Sequence, residues 1–302
     1  MAQERVVFMN GEIIPDSQAT ISIHDRGFVS GDAVFDTTRT FGGKIFKLRE
    51  HIDRFYESMK YLRHEPGMTK EEMIAATIGI VDANLPLISD DEDFWITQRV
   101  TRGVAQPDGS YKPTIIIECV DLPFKERAKY YRDGMPVVVP SVRRTPPEAM
   151  SPRAKVHNYI NLILATQEVK AQNPDGWPIL LDTNGNLAEG PGSNIFLVKD
   201  GVVITPREQM VLAGISRSTA IELAQELNID TREADIDLFD AYTADEAFVT
   251  STSFCICPVA SVNGSTIGEG GVPGPVTDRL MKAYSGLVGI DIAGQYLARL
   301  EA

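Results

Sequence analysis

The dipeptide Asn10-Gly11 stands between two runs that read as strands, Val6–Met9 and Glu12–Ile14. Such a pair predicts a tight hairpin, because the favoured two-residue turns need positive φ at their centre. The same grammar recurs. Ala33–Phe41 reads as a strand that Gly42-Gly43 turns back into Lys44–Lys47, and Ile195–Val198 meets Val202–Ile204 across Lys199-Asp200-Gly201. Phe94–Thr101, the β-branched run Thr114–Val120, Val137–Pro140, Pro178–Leu181, Ala247–Thr250 and the apolar stretch Cys255–Val262 read as further strands. Between them, Ile52, Phe55, Met59 and Leu62 recur at helical spacing and predict a helix from about 49 to 63. Thr69 with Glu72 forms a capping box ahead of a second helix ending near Asn84. Later helices are expected from Lys155, over 217–228, and after Pro275. Strands joined by hairpins and interrupted by helices predict an α+β fold rather than a regular parallel βαβ sheet.

A chain of 302 residues suggests two domains, and 43% apolar with 24% charged residues is the balance of an ordinary globular protein. The segment DLPFKERAKYYRDGMP is charged, Tyr-rich and bounded by prolines, which marks it as an interdomain connection. The expected division is a smaller N-terminal α+β domain at 1–120, a loop at 121–135 and a larger C-terminal α+β domain at 136–302 that carries Lys155. The net charge of −13 argues against a nucleic-acid or anionic-membrane surface, so an anionic ligand would need positive charge gathered locally. MAQERVVFMNGEII has no basic segment followed by a long apolar one, so no signal peptide is expected. No window approaches the ~20 apolar residues of a membrane span. Cys119, Cys255 and Cys257 lack metal-ligand spacing and read as buried free thiols of a reducing cytoplasm.

Several motifs fall short. GISRS at 214–218 has Ser218 where a nucleophile elbow needs its second glycine, and GEGGVPG at 268–274 lacks both a dinucleotide fingerprint and a Walker lysine. His24, His51, His64 and His157 have no paired ligand spacing, so no metal is assigned.

SPRAKVHNYINLILATQEV, 151–169, raises a sharper question by placing Lys155 at the threshold of an apolar helical pattern. A lone lysine is normally solvated. An inward-facing amine would instead serve a Schiff base, to a carbonyl substrate or to pyridoxal phosphate. The second option needs an arginine and helix N-terminal amides for the phosphate, and a carboxylate for the pyridine nitrogen. Glu189 in AEGPGSN, Arg54 off the apolar stripe of its helix, Ser216 as N-cap after Gly214-Ile215, and the hydroxyls of TSTS at 250–253 could meet those needs. Taken singly, each also reads as an ordinary loop carboxylate, surface charge, cap or turn.

The ordered set HIDR ending at Arg54, KVHNY opening at Lys155, NLAEG with Glu189, GIS at 214–216 and ADEAFVTSTS resembles the class IV pyridoxal-phosphate-dependent aminotransferases, branched-chain aminotransferases in particular. The likeness runs from NGEIIP to GPVT, nearly the whole chain. It implies fold type IV, with two α+β domains, the active site between them and a loop from a partner subunit in a homodimer or assembly of dimers. It implies a ping-pong transamination from a branched-chain L-amino acid to 2-oxoglutarate. D-amino-acid or (R)-amine transaminase and aminodeoxychorismate lyase are the alternatives within that fold.

Residue by residue, the resemblance implies that Lys155 holds the cofactor through a Schiff base and carries the proton. Glu189 would pair with the pyridine N–H. Arg54, the backbone of Ile215 and Ser216, and Ser251 with Thr252 would hold the phosphate, and Val203 would lie beneath the ring. Tyr159 would bond the ring oxygen or serve as a core aromatic. Phe35, Arg39, Trp95, Thr97, Arg99, Thr252 and Ser253 would line the substrate, with Arg39 organising a carboxylate pocket. Thr97 stands where branched-chain enzymes place an arginine. The arginine–x–histidine trap of D-amino-acid transaminases is missing from VAQPDG at 104–109.

Overall fold

The Asn10-Gly11 hairpin forms as expected. In a computed structural model, which describes residues 4–269 and 271–300, β1 (Val6–Met9) pairs antiparallel with β2 (Glu12–Pro15), and φ is 53° at Asn10 and 99° at Gly11. The chain divides into two units. Residues through Leu122 form the first, joined by Ala154–Asn158, and Pro123–Arg153 with Tyr159 onward form the second.

In the first unit, α1 (Arg26–Ser30) precedes β3 (Ala33–Phe41) and β4 (Lys44–Ile45). Helices α2 (Leu48–Leu62) and α3 (Lys70–Asn84) follow, then β5 (Phe94–Ala105) and β6 (Tyr111–Asp121). The described strands make one sheet in the order β2-β1-β6-β5-β3-β4. The Thr69–Glu72 capping box opens α3 as its sequence predicts. Period-two alternation then sorts side chains to two faces. Val34, Ile96, Val100 and Ile117 are buried with Ile52, Phe55 and Met59 of α2 and Met73 and Ile80 of α3. Gln98 on that side donates to Thr77 Oγ1 at 3.2 Å. The opposite face carries Phe35, Thr37 and Arg39 of β3, paired in register with Arg99, Thr97 and Trp95 of β5. Residues facing each other across an antiparallel pair share a side, so these six lie together.

The second unit opens with α4 (Phe124–Asp133), β7 (Met135–Val138), α5 (Ile160–Gln172) and β8 (Trp177–Pro178). It continues through β9 (Glu189–Gly190), β10 (Ser193–Lys199), β11 (Val202–Pro206), α6 (Ile215–Glu226), β12 (Thr231–Ala234) and α7 (Leu238–Thr243). It ends with β13 (Glu246–Ser251), β14 (Cys255–Val262), β15 (Ser265–Thr266), α8 (Pro275–Val288) and α9 (Ile292–Leu297). The sheet runs β12-β11-β10-β13-β14-β7-β8, with β9 on β10 and β15 on β14. Phe196 and Phe248 stack at its centre with ring centroids 4.7 Å apart. GEGGVPG is irregular where described; its Gly270 lies outside the described residues.

Three expectations are corrected. The supposed loop at 121–135 is mostly α4, because Phe124, Ala128 and Tyr131 recur on one side of a helix and are buried, while Pro123 starts it. Lys155 does not open a helix, and it does not group with the C-terminal domain. The main chain of 154–158 is committed to the edge of β3: Phe35 N–H donates to Lys155 O at 3.1 Å, and His157 N–H to Ala33 O at 3.0 Å. The helix starts at Ile160 instead. The expected strand Pro178–Leu181 is β8 followed by an isolated bridge, Leu181 to Leu187. Helices α1, α7 and α9 are too short to show a periodic pattern.

Phe248→Ala should cost about 3–5 kcal/mol by opening a cavity under the stacked pair, whereas Thr69→Ala should cost about 1 kcal/mol. Urea unfolding midpoints of the two variants check the order.

Candidate active site

Lys155 is 9% exposed. Among the described residues no hydrogen bond or ion pair engages its Nζ, which instead lies 4.5 Å from the centroid of the Phe35 ring. Burying an ammonium without a counter-charge is unfavourable, so a chain that keeps one has a use for the amine. The backbone beneath it is fixed from two sides. Besides the bond to β3, Lys155 N–H donates to Ser58 Oγ at 3.0 Å, and that hydroxyl donates to Arg54 O at 2.9 Å.

Arg54 is buried rather than solvated. Its Nε and Nη2 donate to the two oxygens of Asp36 at 2.8 and 2.7 Å, and His51 Nδ1 lies 2.7 Å from Asp36 Oδ1. Burial would raise the Asp36 carboxyl, but the charge of Arg54 and the bond from His51 outweigh it and hold it far below the usual range. His51 sits below its ordinary value, chiefly because it is buried. It is therefore neutral near pH 7, with its Nδ1–H donating to ionised Asp36.

On the Phe35 face, Thr37 and Thr97 share a hydroxyl contact of 3.1 Å, Arg99 Nη1 pairs with Glu118, and Trp95 is half-buried. Arg39 does not serve this face. It is 1% exposed, its Nη2 lies 3.5 Å from Asp93, its Nε donates to Thr40 O, and its guanidinium sits 4.0 Å from the Phe41 ring centroid. Its guanidinium is committed to Asp93 and the Phe41 ring rather than to a carboxylate beside Phe35.

In the second unit Glu189 is buried. Its Oε1 accepts from Arg144 Nε at 2.8 Å and its Oε2 from Leu212 N–H at 2.9 Å. Asn194 Nδ2 donates to Leu212 O at 3.0 Å, and a Cβ on Gly214 would come 2.2 Å from Asn194 Oδ1. AEGPGSN and LAGIS are thus one packed feature, and glycine at 214 is what lets them meet. Gly214, not Ser216, is the N-cap of α6; Ile215 and Ser216 lie in its first turn, where amides lack intrahelical partners. Thr250, the register partner of Asn194, has a buried Oγ1 without a partner among the described residues. Ser251 Oγ accepts from Phe254 N–H at 3.0 Å, Arg127 Nη1 bonds Ser253 Oγ, and Thr252 is half-buried in the turn between them.

Val203 is not brought to Glu189. It lines a cavity under α6 with Phe196, Ile221 and Gln225, because its strand turns that position toward the helix. Leu212 is the apolar residue whose backbone meets the carboxylate. Tyr159 packs against Leu162 and Leu180. Ser58, Asp36, Arg144, Leu212 and His157 had no assigned role from sequence. Of these, Asp36 carries a local signal, a lone carboxylate inside the strand-like run Ala33–Phe41.

The amino-transferase class IV family model matches residues 33–262. The chain belongs to the class IV aminotransferases. Within the family, a Methanocaldococcus jannaschii chain provisionally named a branched-chain-amino-acid aminotransferase is 37% identical over 92% of this chain and 94% of its own. The Escherichia coli branched-chain-amino-acid aminotransferase is 32% identical over 93% and 92%. A solved structure of the Escherichia coli enzyme superposes with a TM-score of 0.86 over 95% of each chain at 31% identity. The T.th. branched-chain amino acid aminotransferase complexed with N-(5'-phosphopyridoxyl)-L-glutamate gives 0.84 over 96% of each at 29% identity. Among the described residues of this class IV aminotransferase, no group of side chains could hold a metal ion, and no helix is long and apolar enough to cross a membrane.

The ionised Asp36 stabilises the fold fully above the ordinary carboxylate range, and this stability is lost as pH falls through its lowered value. Asp36→Asn should therefore flatten the acid limb of a stability–pH curve. Equilibrium unfolding between pH 7 and 2.5 checks it.

Proposed function

We propose that this class IV aminotransferase transfers an amino group from a branched-chain L-amino acid to 2-oxoglutarate by a ping-pong reaction with pyridoxal 5'-phosphate. The observation that carries the reading is the buried Lys155 amine, held over an apolar ring with no counter-ion among the described residues. The residues present suit the cofactor. Within the second unit the orphaned Thr250 hydroxyl, the N-terminus of α6 and the Ser251–Thr252 turn offer donors of the kind a phosphate needs, and within the first unit Arg54 is a fixed positive charge. Glu189, oriented by Arg144 and the Leu212 amide, would accept from the pyridine N–H.

Pyridoxal phosphate supplies an aldehyde that condenses with amines and a ring that takes up the electron pair left on the substrate α-carbon. Lys155 Nζ would anchor it, and once displaced would take a proton from that carbon and return it on the other side of the transfer. Phe35 and Trp95 would receive an aliphatic side chain. Names support this choice: curated relatives are branched-chain aminotransferases, and one solved relative is complexed with 4-methylvaleric acid.

A homodimer fits the apolar side chains exposed around α1, where Ile23 is 71%, Phe28 66% and Val29 58% accessible. A cytoplasmic setting fits three buried free cysteines.

L-Leucine with 2-oxoglutarate should yield glutamate, followed through cofactor absorbance. Activity confined to D-alanine or (R)-1-phenylethylamine would overturn the donor. Lys155→Ala should lower the rate by several orders of magnitude, while Glu189→Gln should slow it about 10- to 100-fold with cofactor retained.

A further inference from the structure

Three nitrogen-bearing side chains gather around the Phe35 ring. Lys155 Nζ lies 4.5 Å from its centroid, the His157 ring meets its edge with centroids 5.2 Å apart, and Arg99 is its register partner on β5. His157 is pinned through its own N–H to Ala33 O, yet among the described residues no group is hydrogen-bonded to either ring nitrogen. Arg99 has one ion-pair partner among those residues, Glu118, through Nη1 alone, and the two side chains are 32% and 27% exposed. Such a half-exposed pair is weak and exchangeable. Among the described residues the single carboxylate Glu118 thus pairs with Arg99 alone, and the Lys155 amine beside Phe35 has no counter-ion, in a chain whose net charge is −13. This is the local positive charge that an anionic ligand would require.

Resting on the reading above, we propose that Arg99 and His157 together bind the second carboxylate of a dicarboxylic 2-oxo acid. Arg99 supplies the charge and His157 a neutral N–H donor. Burial, together with the charges of Arg99 and Lys155, pushes the imidazole down to about 4, so it enters the encounter uncharged. An aliphatic substrate resting on Phe35 leaves the Arg99–Glu118 pair intact. A dicarboxylate, two methylenes longer than its reacting carbon, displaces Glu118 from Arg99 and satisfies the idle imidazole. One surface then serves both kinds of substrate, without the arginine–x–histidine trap that residues 104–109 lack.

The test uses the holoenzyme and two unreactive probes, glutarate and 4-methylvalerate, titrated calorimetrically. Arg99→Gln should weaken glutarate about 10- to 100-fold and His157→Phe about tenfold, as loss of charged and neutral hydrogen bonds predicts. His157→Gln, which restores a donor, should recover most of the loss, and 4-methylvalerate should change less than about twofold. In single turnovers of the amino form, the variants should raise KM for 2-oxoglutarate but not for 4-methyl-2-oxopentanoate, with kcat nearly constant. Equal losses for both acids, or no loss for glutarate, overturn the proposal. If leucine is not a donor while the variants still lose glutarate selectively, the branched-chain reading falls and the Arg99–His157 pair stands.

Discussion

The short backbone ladder between Ala154–Asn158 and the start of β3 is the constraint on which the chemistry depends. It places Lys155 opposite Phe35, and because facing residues share a side, it also decides that the amine and the phenyl ring meet. A one-residue slip would turn Val156 toward Phe35 and Lys155 away from it. Ser58 guards against that slip by tying the Lys155 amide to α2, one turn beyond Arg54. The same ladder sets His157 two positions on, on the same side as Lys155.

Three buried ion pairs follow one rule. Asp36 with Arg54, Arg39 with Asp93, and Glu189 with Arg144 are each taken out of water as pairs whose oxygens find donors. Pairs of this kind add little net stability over apolar packing, but removing one member is severe. Their value is geometric: the bidentate contact with Asp36 fixes Arg54, and Arg144 with the Leu212 amide fixes both oxygens of Glu189. Lys155 differs from these pairs in that no hydrogen bond or ion pair among the described residues engages its Nζ.

Much of this was legible in the sequence. β3, the capping box of α3 and the three Gly-containing hairpins announce themselves through turn chemistry and alternation, which are local properties. Lys155, Glu189 and Arg54 could be singled out because their motifs kept a recognisable order along the chain. What stayed hidden was non-local. Arg39 looks like a pocket residue until Asp93, 54 residues away, claims it. Val203 reads as a plausible ring neighbour until the pairing of β11 with β10 and β12 turns it toward α6. His157 shows no ligand spacing because its neighbours Phe35 and Arg99 come from distant strands. α4 reads as a loop in sequence because its charges outnumber the four buried positions that hold it, Phe124, Ala128, Tyr130 and Tyr131.

The brief return of Ala154–Asn158 to the first unit has an evolutionary consequence. A chain that leaves one body, enters a second, lends five residues back and departs again cannot be shuffled as two independent modules. Recombination at the Leu122–Pro123 boundary would hand the Lys155 amine to one parent and its β3 seat to the other. Such a chimera would retain the amine only where both parents carry compatible edge strands, so the two halves of this molecule are bound to be inherited together.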